Sequence, residues 1–169
     1  IVVSTVMSNY GFKQAIEKFN FDLIETPVGD KYVAEAMKKY DAALGGEQSG
    51  HIIISDQLPV GDGLVTLIYV LKAMQHFGVA LSDFKKENLY EYPQKLTNLE
   101  LENKLNDEEL EYINQIALDM SIKKDLDGRY LIRNSGTEPL LRVLVEAKSN
   151  EAMEEFSNEL ITKINKYLN

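Results

Sequence analysis

The sequence predicts an α/β protein in two parts: a three-layer α/β domain with a mostly parallel, mixed sheet over residues 1–84, and a smaller α+β domain with an antiparallel sheet and helices on one face over residues 95–169. Three observations lead there. Up to Phe77, short β-rich apolar runs alternate with segments of helical hydrophobic period, the pattern of strand–helix–strand units. Beyond Ser82 the order becomes strand, helix, strand, strand, helix, which suits an antiparallel sheet. Between them Asp83–Gln94 lacks a clean period and contains Pro93, so it reads as irregular, with residues 85–94 as a linker and hinge that lets the last domain swing closed on substrate.

Ile1–Val6 is an apolar, β-branched opening strand. Phe12, Ala15, Ile16 and Phe19 follow at i, i+3, i+4 and i+7, one face of a helix. Asp22–Glu25 is a second short strand, and Asp30 is placed to cap a helix with Val33, Met37 and Tyr40 inward. Ala42–Leu44 and His51–Ser55 read as two strands around a glycine-rich loop. Asp62 caps a helix that Gly78 stops; Leu64, Val65, Leu67, Ile68, Val70, Leu71 and Met74 make it apolar nearly all round, so it is expected to be buried. In the second part, Leu96–Glu102 alternates like an edge strand. Asn106 and Glu109 form a capping box ahead of a helix with Leu110, Ile113, Ala117 and Met120 inward. Gly128 turns the chain into the strands Arg129–Arg133 and Leu141–Lys148. Asn150 is placed to cap a last helix with Met153, Phe156, Leu160, Ile161, Ile164 and Leu168 on one face.

Composition removes several functions. With 27 acids against 18 basic residues the net charge is −9, which argues against nucleic acid as a partner. Zero cysteines exclude disulfides, thiolate metal sites and cysteine nucleophiles, and fit a cytoplasmic home. Two histidines leave little scope for a histidine-rich metal site, and no metal ligands are expected in the chain. The longest apolar run, Leu64–Leu71, is too short to span a bilayer, so no membrane is expected. The opening strand without an initiating Met suggests a piece of a longer protein. His76 and the acids Asp107, Glu108, Glu109 and Glu111 need only structural roles, the acids sitting where a helix dipole favours them.

Two loops carry chemistry. The three arginines, Arg129, Arg133 and Arg142, fall in one short stretch, while the other fifteen basic residues are lysines. Arginine grips phosphate or carboxylate with two parallel donors. Between Arg133 and Arg142, Ser135 and Thr137 add hydroxyls, Gly136 permits a nest of backbone N–H groups, and Pro139 stiffens the exit, so the loop is expected to bind phosphate. The bland alternative is a polar hairpin whose arginines pair with surface acids. The second loop is Gly45–His51. Its glycines allow close backbone approach, and Glu47 and Ser49, two apart in an extended segment, can face one way toward neighbouring sugar hydroxyls. His51 suits proton transfer or phosphate contact. On composition alone a glycine hairpin with a solvated Glu and a packed His stands equally open. A third patch, Thr26–Val33, sets Gly29 and Asp30 at a helix start that suits anions, though an ordinary strand–turn–helix junction accounts for it as well.

Taken together, Arg133–Pro139 with Arg142, Gly46–His51, Thr5–Asn9, Val28–Val33 and Gly61–Gly63 resemble, in order, the α-D-phosphohexomutase superfamily and its bacterial phosphoglucosamine mutase branch. The resemblance covers essentially the whole chain and is to the third and fourth domains. It implies interconversion of glucosamine 6-phosphate and glucosamine 1-phosphate through a phosphoserine and a glucosamine 1,6-bisphosphate type intermediate, assisted by Mg²⁺. It also implies that Glu47 and Ser49 contact sugar hydroxyls, that Gly29 and Asp30 line the substrate site, that Arg133, Ser135, Gly136 and Thr137 contact phosphate with Arg142 in support, and that His51 touches phosphate or moves a proton. The partners implied are a phosphorylated amino sugar and the remaining N-terminal domains of the same protein. The phosphoserine loop and the Asp-rich metal loop are missing; Gly61–Gly63 and Asp125–Gly128 do not replace them, so the Mg²⁺ ligands are expected outside this chain and the piece alone is expected to be inactive. Other readings are a phosphomannomutase/phosphoglucomutase fragment, a non-catalytic phosphosugar-binding module and a structural scaffold. Gln48 favours the glucosamine branch over the first, and the arginine cluster is unexplained by the last. Oligomeric state is left open.

Overall fold

A computed structural model describes residues 1–168 as two compact units, Ile1–Glu91 and Tyr92 onward. In the first unit, β1 (Val2–Thr5), β2 (Leu23–Thr26), β3 (Leu44–Gly46) and β4 (Ile52–Ile54) form one sheet in the order β2-β1-β3-β4. β1 runs parallel to β2 and β3, and β4 is antiparallel to β3, so the sheet is mixed and mostly parallel. α1 (Tyr10–Lys18) follows β1, α2 (Asp30–Tyr40) follows β2, and α3 (Gly63–Phe77) and α4 (Leu81–Asn88) follow β4. Val33 and Met37 of α2 pack with Val3, Ala42 and Ile53 as the unit's core. Phe12 of α1 lies on the opposite sheet face, where it lines a cavity of about 300 Å³ with Val2, Ser4, Leu44 and Ile52.

The helix ends show how local chemistry sets the chain direction. Asn9 accepts from the Gly11 amide at 3.0 Å and caps α1. Gly11 is buried there, because a Cβ would stand 1.6 Å from the Tyr90 carbonyl oxygen. Asp62 caps α3 through the Val65 amide at 2.8 Å, and Gly78 ends it in the left-handed conformation. Four expectations for this unit need correction. Asp30 is the first residue of α2 rather than its cap: Gly29 takes that position at φ 135°, a conformation open to glycine and strained for other residues. Asp83–Gln94 is not irregular throughout, since α4 occupies Leu81–Asn88; Phe84 stacks on Phe19 at 6.3 Å, a tertiary contact that overrides the weak period. The strand expected at Ala42–Leu44 forms two residues later.

The fourth correction is the largest. α3 has no buried residue, and Leu64, Leu67, Ile68 and Leu71 are all at least half exposed. They lie at i, i+3, i+4 and i+7, so they form one continuous stripe. An all-round apolar helix requires cover on every side, and this unit supplies it mainly along β4. Among the described residues, no single helix is long and apolar enough to cross a membrane.

In the second unit, β5 (Gln94–Glu100), β6 (Gly128–Asn134) and β7 (Leu140–Ala147) form an antiparallel sheet in the order β5-β7-β6. α5 (Asp107–Lys124) and α6 (Asn150–Leu168) cover one face. Ile132, Leu141, Val143 and Val145 meet Ile113, Ala117 and Met120 of α5 and Phe156, Leu160 and Ile164 of α6. Each such buried Val, Leu, Ile, Phe or Met side chain contributes about 1.5–3 kcal/mol. The Asn106–Glu109 capping box forms with both bonds present, at 2.8 and 2.9 Å. At α6 the capping hydroxyl is that of Ser149, which accepts from the Ala152 amide at 3.2 Å, and Asn150 is already helical.

Candidate functional site

In the first unit the β3–β4 pairing of Gly46 with Ile52 makes Glu47–His51 the closing turn of a hairpin. The Glu47 amide donates to the His51 carbonyl at 2.9 Å and the Gly50 amide to the Glu47 carbonyl at 3.0 Å, with Gly50 at φ 96°. Gly45 serves packing: a Cβ there would lie 2.4 Å from Met37 Sδ and 2.8 Å from Val33. Glu47 and Ser49 meet across the turn rather than along an extended strand.

Glu47 organises this loop. Its side chain is only 9% exposed, and Oε1 accepts from the Gly29 amide at 2.8 Å, which ties the hairpin to the start of α2. Oε2 lies 3.5 Å from Ser49 Oγ and 3.6 Å from His51 Nδ1, while Ser49 Oγ stands 3.2 Å from the same His51 nitrogen. The carboxylate is therefore held and the imidazole is 61% exposed, the reverse of a solvated Glu beside a packed His. Serine and carboxylate share one imidazole nitrogen, so the trio cannot relay a proton as a hydrolase triad does, where they occupy opposite nitrogens. Asp30 is exposed and accepts from the adjacent Lys31 amide at 2.7 Å.

The second unit carries the other loop, between β6 and β7. Ile132 and Val143 face the helices, so Arg133 and Arg142, each one residue away, point to the opposite face of the sheet. They are direct cross-strand partners, and like charges so placed repel. Arg142 has a loose partner, Glu138 at 3.7 Å; among the described residues no acid pairs with Arg133. Ser135 Oγ and Arg142 Nε are buried without a hydrogen-bond partner. The nest is smaller than expected, because the Ser135 amide closes the hairpin on the Leu140 carbonyl at 2.7 Å. The amides of Gly136 and Thr137 make no bond among the described residues. Arg129 stands apart from the loop, in an ion pair with the fully buried Glu146 across the same strands.

Two residues outside the expected set support this loop. Asn134 clasps Leu105, donating to its carbonyl at 2.8 Å and accepting from its amide at 3.3 Å. Lys104 donates to the Gly136 carbonyl at 2.6 Å. Asn134 sits in the loop motif, but nothing in the non-periodic stretch Glu102–Leu105 signals Lys104. Among the described residues no three His, Asp or Glu side chains gather as a cation site, so this chain's residues do not fit the Mg²⁺ that the resemblance implies.

The phosphoglucomutase/phosphomannomutase alpha/beta/alpha domain III model matches residues 1–92, and the C-terminal domain model of the same enzymes matches residues 96–163. The chain belongs to the phosphoglucomutase/phosphomannomutase family. Its two units correspond to that family's domain III and C-terminal domain. It is 43% identical over 160 residues to phosphoglucosamine mutase of Bacillus subtilis, covering 95% of this chain and 36% of that protein. Against phosphoglucosamine mutase of Streptococcus agalactiae serotype III it is 46% identical over 155 residues, covering 90% and 34%. It thus spans roughly a third of the length of these curated relatives. The crystal structure of Aspergillus fumigatus N-acetylphosphoglucosamine mutase with GlcNAc-6P and magnesium superposes with a TM-score of 0.79 at 19% identity, covering 99% of this chain and 39% of that one. An N-acetylglucosamine-phosphate mutase in its substrate complex gives 0.76 at 22% identity, covering 96% and 38%. At these identities the likeness is one of fold.

Proposed function

We propose that this chain is the substrate-recognition half of an enzyme that interconverts glucosamine 6-phosphate and glucosamine 1-phosphate, its first unit reading the sugar and its second holding the phosphate that does not react. The observation that carries the reading is the opposed pair Arg133 and Arg142 beside the orphaned Ser135 hydroxyl. Like charges opposite one another cost about 0.2–1 kcal/mol, and a buried unsatisfied polar group about 1–3 kcal/mol. A phosphate accepting from Arg133, Arg142, Ser135 Oγ, Thr137 Oγ1 and the Gly136 and Thr137 amides offsets both.

The Glu47 carboxylate repels phosphate and accepts from hydroxyl or ammonium donors, so its loop suits the sugar ring. Ser49 extends that contact, Gly29 anchors Glu47, and Asp30 borders the same helix start. His51 has Nδ1 engaged by Ser49, which leaves Nε2 for a phosphate oxygen or a proton. Relatives named as phosphoglucosamine mutases favour glucosamine over other hexoses. The reactive serine, the Mg²⁺ ligands and the further domains that complete a cytoplasmic enzyme lie outside this chain, and between transfers the species to be held would be a bisphosphorylated sugar.

Isothermal titration calorimetry of the 169-residue chain tests the reading. Glucosamine 6-phosphate should bind, and glucosamine without phosphate should not; equal affinity for the two would reject the phosphate assignment. Glucose and mannose 6-phosphates should bind more weakly, and a preference for either would favour the phosphomannomutase/phosphoglucomutase alternative. The chain alone with Mg²⁺ should show no mutase turnover, and turnover would overturn its role as a recognition half.

A further inference from the structure

The segment joining β5 to α5 runs beside the Arg133–Arg142 loop and is stitched to it at four points. The Leu101 amide donates to the Pro139 carbonyl at 2.9 Å, Lys104 Nζ to the Gly136 carbonyl at 2.6 Å, and Leu105 exchanges two bonds with the Asn134 side chain. Three of these bonds fall on the two ends of the loop. Lys104 acts on its tip, where Gly136 is exposed, has no atom near the position of a Cβ, and so is free to turn its peptide.

We propose that Lys104 is a positioning residue for phosphate, a role that rests on the reading of this loop as the phosphate site. A trans peptide points its carbonyl and the following N–H in opposite directions. By holding the Gly136 oxygen, the Lys104 ammonium turns the Thr137 N–H to the side of the loop away from the lysine. Without Lys104 the peptide is free to rotate and present a carbonyl oxygen where a phosphate oxygen should sit, which is repulsive. Lys104 also brings positive charge to the loop, in a chain whose net charge of −9 otherwise opposes anions. Its role is thus to organise the loop before the ligand arrives, rather than to hold the protein together.

The experiment is calorimetric titration of the full 169-residue chain with glucosamine 6-phosphate, in the wild type, Lys104→Met, Lys104→Arg and the distant control Lys163→Met on α6. Lys104→Met should raise Kd about five- to tenfold, below the roughly ten- to hundredfold of a lost direct charge-assisted bond to the ligand, because Lys104 acts through the loop and does not touch phosphate. Lys104→Arg should restore binding to within about twofold, because the guanidinium keeps donor and charge. Lys163→Met should change nothing. The amide resonance of Thr137 should shift on adding phosphate to the wild type and shift less in Lys104→Met. Lys104→Gln replaces Lys104→Met if the latter fails to fold. Wild-type binding with an unchanged Kd in Lys104→Met, or equal losses with Arg and Met, would overturn the role of Lys104 and leave the phosphate site standing. No binding by the wild type would overturn both.

Discussion

Replacing Arg133 with Gln should leave the free protein as stable or more stable, while crippling its hold on phosphate. Arg133 stands directly opposite Arg142, and no acid among the described residues pairs with it. Removing one of two opposed like charges returns about 0.2–1 kcal/mol, and Gln keeps much of the aliphatic stem that packs on the sheet. A charge-assisted hydrogen bond to phosphate is worth about 1.5–3 kcal/mol, so the same substitution should weaken binding by roughly ten- to a hundredfold. The two effects have opposite signs, which separates a binding arginine from a structural one. Thermal unfolding with and without glucosamine 6-phosphate reads both in one assay: the variant should melt at or slightly above the wild type without ligand, and should lose the ligand-induced rise. If the free variant loses 2 kcal/mol or so, or keeps the full ligand shift, Arg133 is structural and the argument from its unpaired charge fails.

Gly11→Ala should destabilise the first unit by about 1–3 kcal/mol in urea denaturation, because its Cβ would meet the Tyr90 carbonyl oxygen at 1.6 Å and backbone must move; a neutral result would contradict that packing. Leu67→Gln and Ile68→Gln on α3 should each change the stability of this chain by no more than about 0.5 kcal/mol, since both side chains are half exposed, and a loss of several kcal/mol would mean that the helix is covered. Asp127 accepts from Lys148 at 2.9 Å and from Tyr92 at 3.0 Å, and these bonds, that of Lys148 first, hold its carboxyl below the usual aspartate range. A lowered folded-state value means that its contribution is present above the ordinary aspartate pKa and lost as pH falls through the folded one. The gap in melting temperature between wild type and Asp127→Asn should therefore be widest near neutral pH and close in acid, and a constant gap would assign the effect to packing instead.

The helical faces inside the second unit were legible because period and burial agree there. Ile113, Ala117 and Met120, and then Met153, Phe156, Leu160 and Ile164, are spaced for one face, and those faces are buried. The Asn106–Glu109 cap was legible because both of its bonds are local. α3 misled, because its composition records a need for cover on every side and not what provides it. α4 was missed, because Phe84 on Phe19 is a contact across more than sixty residues of sequence that no local period records. In the candidate site the residue types were readable and their partners were not. The structure gathers Gly29, Glu47, Ser49 and His51 in one unit and Arg133, Ser135, Gly136 and Thr137 beside Arg142 in the other. That the Glu47 carboxylate is held while His51 is exposed depends on the Gly29 amide, eighteen residues away.

By itself, the sequence determined the order of the strands and of every helix but α4, the family and the two loops worth watching, because hydrophobic period, caps and short motifs are written in neighbouring residues. Only the tertiary structure decided that Arg133 faces Arg142 without an acid, that Ser135 is buried without a partner, that Glu47 is anchored to Gly29 and that Lys104 reaches the tip of the loop. Each of these depends on strand register or on a bond between distant segments. A charge or a hydroxyl acquires its chemistry from what surrounds it, and those surroundings are assembled by packing.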